Sequence, residues 1–175
     1  ILHPVTTNMK NLKNETMLFL SAIKKSKKNF ILIYPNNDHG SNIILKKYKK
    51  INSNKFKILP SMRFEYYLTL LKNSKVIVGN SSSGIMEAPY YGVPTINIGD
   101  RQKNRSRLKT IQHCKFNEKK ILDLINKMFL KTNRHRAKSE FGKGRSFEIF
   151  DKILDQKNYG KLVLKSSFKI LSNYE

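Results

Sequence analysis

The stretch Val76–Pro89 has the residue types and spacing best suited to chemistry. An apolar run, Val76-Ile77-Val78, leads into Gly79-Asn80-Ser81-Ser82-Ser83-Gly84, and a helical pattern follows. In an open α/β sheet, ligands bind beyond the carboxyl ends of the strands. Here that position holds glycines and hydroxyls, next to the free amides of a helix start, where anions are favoured. Gly84 would let a phosphate approach the backbone closely, and Ser81, Ser82 and Ser83 could donate hydroxyl hydrogen bonds to it. A simple capping role for Ser82 or Ser83 is the plainer demand, but three serines between two glycines exceed it.

Other residues fall on the same rim. Glu87, on the first turns of that helix, could accept two hydrogen bonds from a ribose diol, or merely offset the helix dipole. Arg101 follows the run Thr95–Ile98 and could pair with phosphate oxygens through its planar fork. Arg105 and Arg107 lie in the same charged loop, where solvation is the default. Asn36 and Asp38 lie between a strand and a helix, with Asp38 or Ser41 as the expected helix cap. Phe64 opens a helix, where it could stack on a base or serve as core. His3 ends the first apolar run and could carry a proton near neutral pH.

The elements that must hold these residues alternate between short apolar runs and longer helical patterns, which predicts an α/β fold with a parallel sheet covered by helices on both faces. Strands are expected at 1–5, 30–34, 56–59, 76–79 and 95–98. Helices are expected at 11–27, with Met17, Leu20 and Ile23 as the buried stripe, and at 41–50, 64–73, 83–91, 117–130 and 145–156. Gly92 and Pro94 should stop the fourth of these helices, and Asn117 should cap the fifth. Residues 101–109 and 131–144 read as connections, and 159–175 has no clear pattern.

Composition narrows the classes. The chain has 175 residues, one cysteine, and 35 Lys+Arg against 12 Asp+Glu, a net charge of +23. Such a charge suits a nucleic-acid-binding domain. The lysines, however, run through the whole chain on expected helices, as a solvated surface would place them. Nucleic acid is therefore the less favoured partner. Cys114 alone excludes an internal disulfide, the histidines lack metal-ligand spacing, and no cofactor fingerprint is present. No apolar run is long enough for a membrane helix. The single cysteine suits a reducing, cytoplasmic setting.

Four segments taken together carry a resemblance: His3-Pro4-Val5-Thr6-Thr7, Pro35-Asn36-x-Asp38-x-Gly40-Ser41, Gly79-Asn80-Ser81-Ser82-Ser83-Gly84-x-x-Glu87, and Gly92-x-Pro94-x-Ile96-Asn97-Ile98-Gly99-x-Arg101-Gln102. In this order they resemble the C-terminal half of hydrolysing UDP-N-acetylglucosamine 2-epimerases, a group serving sialic and related nonulosonic acid pathways. The resemblance covers about residues 1–154. Phe141-Gly142-x-Gly144 is similar to the group's Gly-rich close before the last helix. Non-hydrolysing relatives usually carry an Arg-rich stretch where this chain has Pro4-Val5-Thr6-Thr7.

The resemblance implies a Rossmann-like UDP-binding domain over 1–157, a tail over 158–175, and a GT-B-type two-domain enzyme whose N-terminal catalytic domain is not in this chain. It implies that Ser81, Ser82 and Arg101 hold the diphosphate, Glu87 the ribose, and Phe64 and its neighbours the uracil, with His3 facing the reacting side of the cleft. It also implies elimination of UDP to a glycal and hydration to a free 2-epimerised sugar, the acid/base groups coming largely from the other domain. UDP-N-acetylglucosamine and a UDP-diacetamido sugar fit equally, and a homo-oligomer is left open. The chain alone is expected to bind nucleotide weakly and to show no epimerase activity. The rival from the same fold is the donor-binding half of a glycosyltransferase.

Overall fold

The structure, a computed structural model, describes residues 1–130, 134–142 and 144–155. They divide into a compact unit over Ile1–Glu140 and a second beginning at Phe141. The first unit holds β1 (Phe30–Ile33), β2 (Phe56–Leu59), β3 (Ile77–Gly79), β4 (Thr95–Ile98) and β5 (Ile111–Cys114), and helices α1 (Leu12–Lys25), α2 (Ser41–Tyr48), α3 (Phe64–Asn73), α4 (Ser83–Met86) and α5 (Glu118–Leu130). Short 3-10 helices cover Thr6–Asn11 and Ala88–Tyr91.

All strand pairs are parallel, but they form two sheets, β1-β2 and β3-β4-β5, rather than the single sheet expected. Helices cover both faces. Period-two alternation sends Val78, Ile96 and Ile98 into a large core with α1, α2 and α5. Ile77 packs on the other side with Leu71, Ala88 and Val93, beneath α3 and the second 3-10 helix.

The helices show why these residues form them. In α5, Ile121, Leu124, Ile125 and Met128 fall on one face and are buried. Asn117 Oδ1 accepts from the Lys120 amide at 2.8 Å, a conventional N-cap. In α1 the buried face is Leu12, Thr16, Phe19, Leu20, Ala22 and Ile23. Met17, expected in that stripe, points outward and is 49% exposed, because the stripe runs one residue to its side. The helix expected at 83–91 is broken into α4 and the 3-10 turn, and Gly92 ends it in the left-handed region (φ +67°). A Cβ at Gly92 would lie 2.1 Å from His135 O, in the segment that returns to pack there.

Three further expectations are corrected. Residues 1–5 form no strand: Pro4 has no N–H to give, and the backbone of His3 is engaged by a side chain instead of a neighbouring strand. β5 falls in a stretch where no strand was expected. The cap of α2 is Gly40, at φ +93°, rather than Asp38 or Ser41; the Ser41 hydroxyl instead donates back to the carbonyls of Asn36 and Asp38. In the second unit, α6 (Ser146–Leu154) has Arg145 at its N-cap, and the Arg145 guanidinium pairs with Glu148. Gln156 and the tail 159–175 lie outside the described residues.

Candidate functional site

Asn80 organises the rim. It follows β3, is fully buried, and binds two separate segments, the opening one and Arg101–Gln102. Its Oδ1 accepts from the His3 amide at 2.7 Å, and its Nδ2 donates to His3 O at 2.9 Å. The side-chain amide thus stands in for a strand neighbour. Its own amide donates to Ile1 O at 3.2 Å. Its carbonyl accepts from Arg101 Nη1 at 3.0 Å and Gln102 Nε2 at 3.3 Å. Arg105 Nη1 in turn donates to Gln102 Oε1 at 2.7 Å.

His3 is thereby fixed, and it is buried. The Asn36 amide donates to its Nδ1 at 3.2 Å, so Nδ1 is the acceptor and the neutral ring carries its proton on Nε2. Burial first, and then the nearby Arg101 guanidinium, push the imidazole pKa down to about 4, while Asp38 pulls it upward. His3 is therefore a neutral Nε2–H donor near pH 7. Asn36 contributes its backbone amide, whereas its side chain and that of Asp38 are exposed.

The serine turn is built differently from the expected capping. Ser82 occupies the N-cap position of α4 but makes no side-chain cap bond. Ser81 Oγ accepts from the Ser83 amide at 3.3 Å instead. The Gly84, Ile85, Met86 and Glu87 amides are bonded to carbonyls within the turn. Among the described residues, the Ser81 and Ser82 amides have no partner. Gly84 presses α4 onto β4: Thr95 Oγ1 donates to Gly84 O at 2.6 Å, and a Cβ at Gly84 would lie 2.6 Å from Thr95 Cγ2.

At the far end of α4, Glu87 Oε2 is buried and has no partner among the described residues. Tyr67, from α3, shares a hydrogen bond with Ser83 Oγ. Burial raises the Tyr67 hydroxyl's pKa, and the Glu87 charge raises it further. Phe64 is one turn before Tyr67 on the same side of α3, 60% exposed rather than in the core.

The structure therefore joins His3, Arg101 and the start of the serine turn through Asn80, with the Asn36 amide on the His3 ring and the exposed Asp38 acting on that ring by its charge. It links Ser83, Tyr67 and Glu87 in a second group, with Phe64 beside Tyr67. Asn80, Gln102 and Tyr67 carry roles that the sequence did not assign them. Asn80 was legible only as part of the glycine-serine turn. Among the described residues no cluster of His, Cys, Asp and Glu could hold a metal. Among the described residues no helix is long and apolar enough to cross a membrane.

Parallel strands, helices on both faces and a polar rim at the strands' carboxyl ends define a Rossmann-like α/β class of fold. The model of the UDP-N-acetylglucosamine 2-epimerase family matches residues 1–155, and the chain belongs to that family. It is 49% identical over 123 residues to UDP-N-acetylglucosamine 2-epimerase of Neisseria meningitidis serogroup B, covering 70% of this chain and 33% of that protein. It is 40% identical over 121 residues to the hydrolysing GDP/UDP-N,N'-diacetylbacillosamine 2-epimerase of Campylobacter jejuni, covering 66% and 31%. The chain thus spans about one third of the length of these relatives. The crystal structure of Methanocaldococcus jannaschii UDP-GlcNAc 2-epimerase in complex with UDP-GlcNAc and UDP shares the fold, with a TM-score of 0.63 at 24% identity over 85% of this chain and 41% of that one.

Proposed function

We propose that the unit Ile1–Glu140 holds the UDP portion of a UDP-sugar, as the nucleotide-binding part of a hydrolysing 2-epimerase. The observation that carries this reading is that buried Asn80, which leads into the serine turn, bonds both His3 and Arg101, while the His3 ring is held by the Asn36 amide. The free Ser81 and Ser82 amides and Arg101 supply donors for the diphosphate. Glu87, with a buried and unpartnered oxygen, supplies the acceptor for the ribose diol, and Phe64 an exposed ring for the uracil.

In the reaction, the C2 proton is removed and the C1–O bond to UDP breaks, leaving a C1=C2 double bond. Water then adds across it to give a free 2-epimerised sugar such as N-acetylmannosamine. His3 is suited to donate a hydrogen bond from Nε2–H to the departing diphosphate oxygen. The hydrolysing branch is supported by the Campylobacter relative and by a Legionella pneumophila relative also named as hydrolysing. The Neisseria relative's name carries no such term.

Titration calorimetry with UDP tests the site. Arg101→Ala and Glu87→Ala are each expected to weaken binding by about tenfold or more, roughly 1.4 kcal/mol. The site assignment is wrong if both variants bind UDP like the parent.

A further inference from the structure

Phe64, Tyr66 and Tyr67 lie in the first turn of α3, and only Tyr67 turns inward. Phe64 and Tyr66 are mostly exposed, while Tyr67 packs against the small core of Leu71, Ala88 and Val93. A phenylalanine would fill that place as well, so the Tyr67 hydroxyl has a role apart from packing. It shares a hydrogen bond with Ser83 Oγ, from α3 to α4. Ser83 is buried, and its hydroxyl is spent on Tyr67 instead of facing a phosphate.

A bond between two hydroxyls uses one proton and leaves the other over. Among the described residues neither Tyr67 nor Ser83 gives that second proton to an acceptor. A hydroxyl withheld from water is costly without one. The open acceptor is one turn along α4. The Glu87 amide donates to Ser83 O at 3.1 Å, which puts Ser83 and Glu87 on the same helix face. Glu87 Oε2 is buried and lacks a donor. Burial first, and then the Glu87 charge, raise the Tyr67 pKa, so that charge reaches the hydroxyl. A spare donor and an unmet acceptor therefore belong to one small group. Of the two hydroxyls the phenol is the more acidic, and it makes the stronger bond to a carboxylate.

We propose that Tyr67 is a positioning residue for Glu87: Ser83 donates to the Tyr67 oxygen, and the Tyr67 hydroxyl donates to the Glu87 carboxylate and fixes it to receive the two ribose hydroxyls of the nucleotide. A carboxylate has about four acceptor sites, so one bond from Tyr67 leaves room for a diol. Tyr67 thereby favours a ribonucleotide over one without ribose hydroxyls. This role for Tyr67 rests on the assignment of Glu87 to the ribose diol.

Titration calorimetry of the chain with UDP and with dideoxy-UDP, which lacks both ribose hydroxyls, tests the two assignments separately. Tyr67→Phe keeps the ring in its core and removes only the hydroxyl. It is expected to weaken UDP binding about fivefold and to change dideoxy-UDP binding by less than about twofold. In a Glu87→Ala background, Tyr67→Phe should cause no further loss of UDP binding, because the group through which it acts is gone. UDP binding by Tyr67→Phe equal to the parent's, equal weakening of both nucleotides (as a displaced α3 would give), or losses that add in the double variant would each overturn the role of Tyr67 while leaving Glu87 at the ribose. Unchanged UDP binding in Glu87→Ala alone would overturn the ribose assignment, and the role of Tyr67 with it.

Discussion

Replacing Asn80 by Ala is the sharpest probe of the rim, because its effect can be worked out from named bonds. The substitution leaves the backbone in place, so Arg101 and Gln102 keep their acceptor, Asn80 O. It removes Oδ1 and Nδ2, and with them the 2.7 Å and 2.9 Å bonds to the His3 amide and carbonyl. Both His3 groups are buried and would be stranded. Each costs about 1–3 kcal/mol when left unpaired, so the loss should be about 2–5 kcal/mol. For a chain of this size that is roughly 4–20 °C in Tm. Urea unfolding of parent and variant measures it directly, with an unchanged m-value required. The same variant, assayed where it remains folded, should bind UDP more weakly, since His3 is no longer held against Asn36. A destabilisation below about 0.5 kcal/mol, the level of ordinary surface changes, would refute the claim that Asn80 anchors the opening segment.

Two further outcomes follow from the same geometry. Gly84→Ala should cost about 1–3 kcal/mol, because its Cβ would lie 2.6 Å from Thr95 Cγ2, a stiff β-branched group held by its own bond to Gly84 O. Thr95→Ser removes that methyl and keeps the hydroxyl, so the double variant should recover much of the loss in a thermodynamic cycle. His3 should make the protein acid-sensitive. Its pKa falls from about 6.5 unfolded to about 4 folded, so between those values the unfolded chain binds more protons and stability declines as the pH is lowered, levelling off below 4. The effect is at most about 3 kcal/mol. Urea titrations from pH 7 to 4 should show a shallower slope for His3→Gln than for the parent, and equal slopes would remove His3 from the account.

The parts of this molecule legible in its sequence are those set by local periodicity and by glycine. The stripe Ile121, Leu124, Ile125, Met128 and the cap Asn117 read directly, and so does the stop at Gly92 and Pro94. β5 was not legible, because Ile111-Gln112-His113-Cys114 buries only Ile111 and exposes His113, so it lacks the apolar run that marks its neighbours. Met17 misled because a stripe is defined to within one residue only by what packs against it. The partnership of Asn80 with His3, 77 positions apart, leaves no trace in either local pattern. The same holds for Tyr67 with Ser83.

The distribution of charge adds a step to the proposed nucleotide role. The net charge of +23 lies largely on lysines spread along the chain, where it can draw an anion in from a distance but is screened beyond about 8–10 Å. The rim itself is sparing with charge. Arg101 is fixed through Asn80 O, and its guanidinium helps keep the neighbouring imidazole neutral. The remaining donors, the Ser81 and Ser82 amides and the His3 Nε2–H, are neutral and directional. A diphosphate held in this way is recognised by where its oxygens lie more than by how many charges it carries. The position of those donors traces back to Asn80, whose side chain is spent on the His3 backbone. A buried amide with its side chain turned away from the rim thus sets the geometry of the groups that face it.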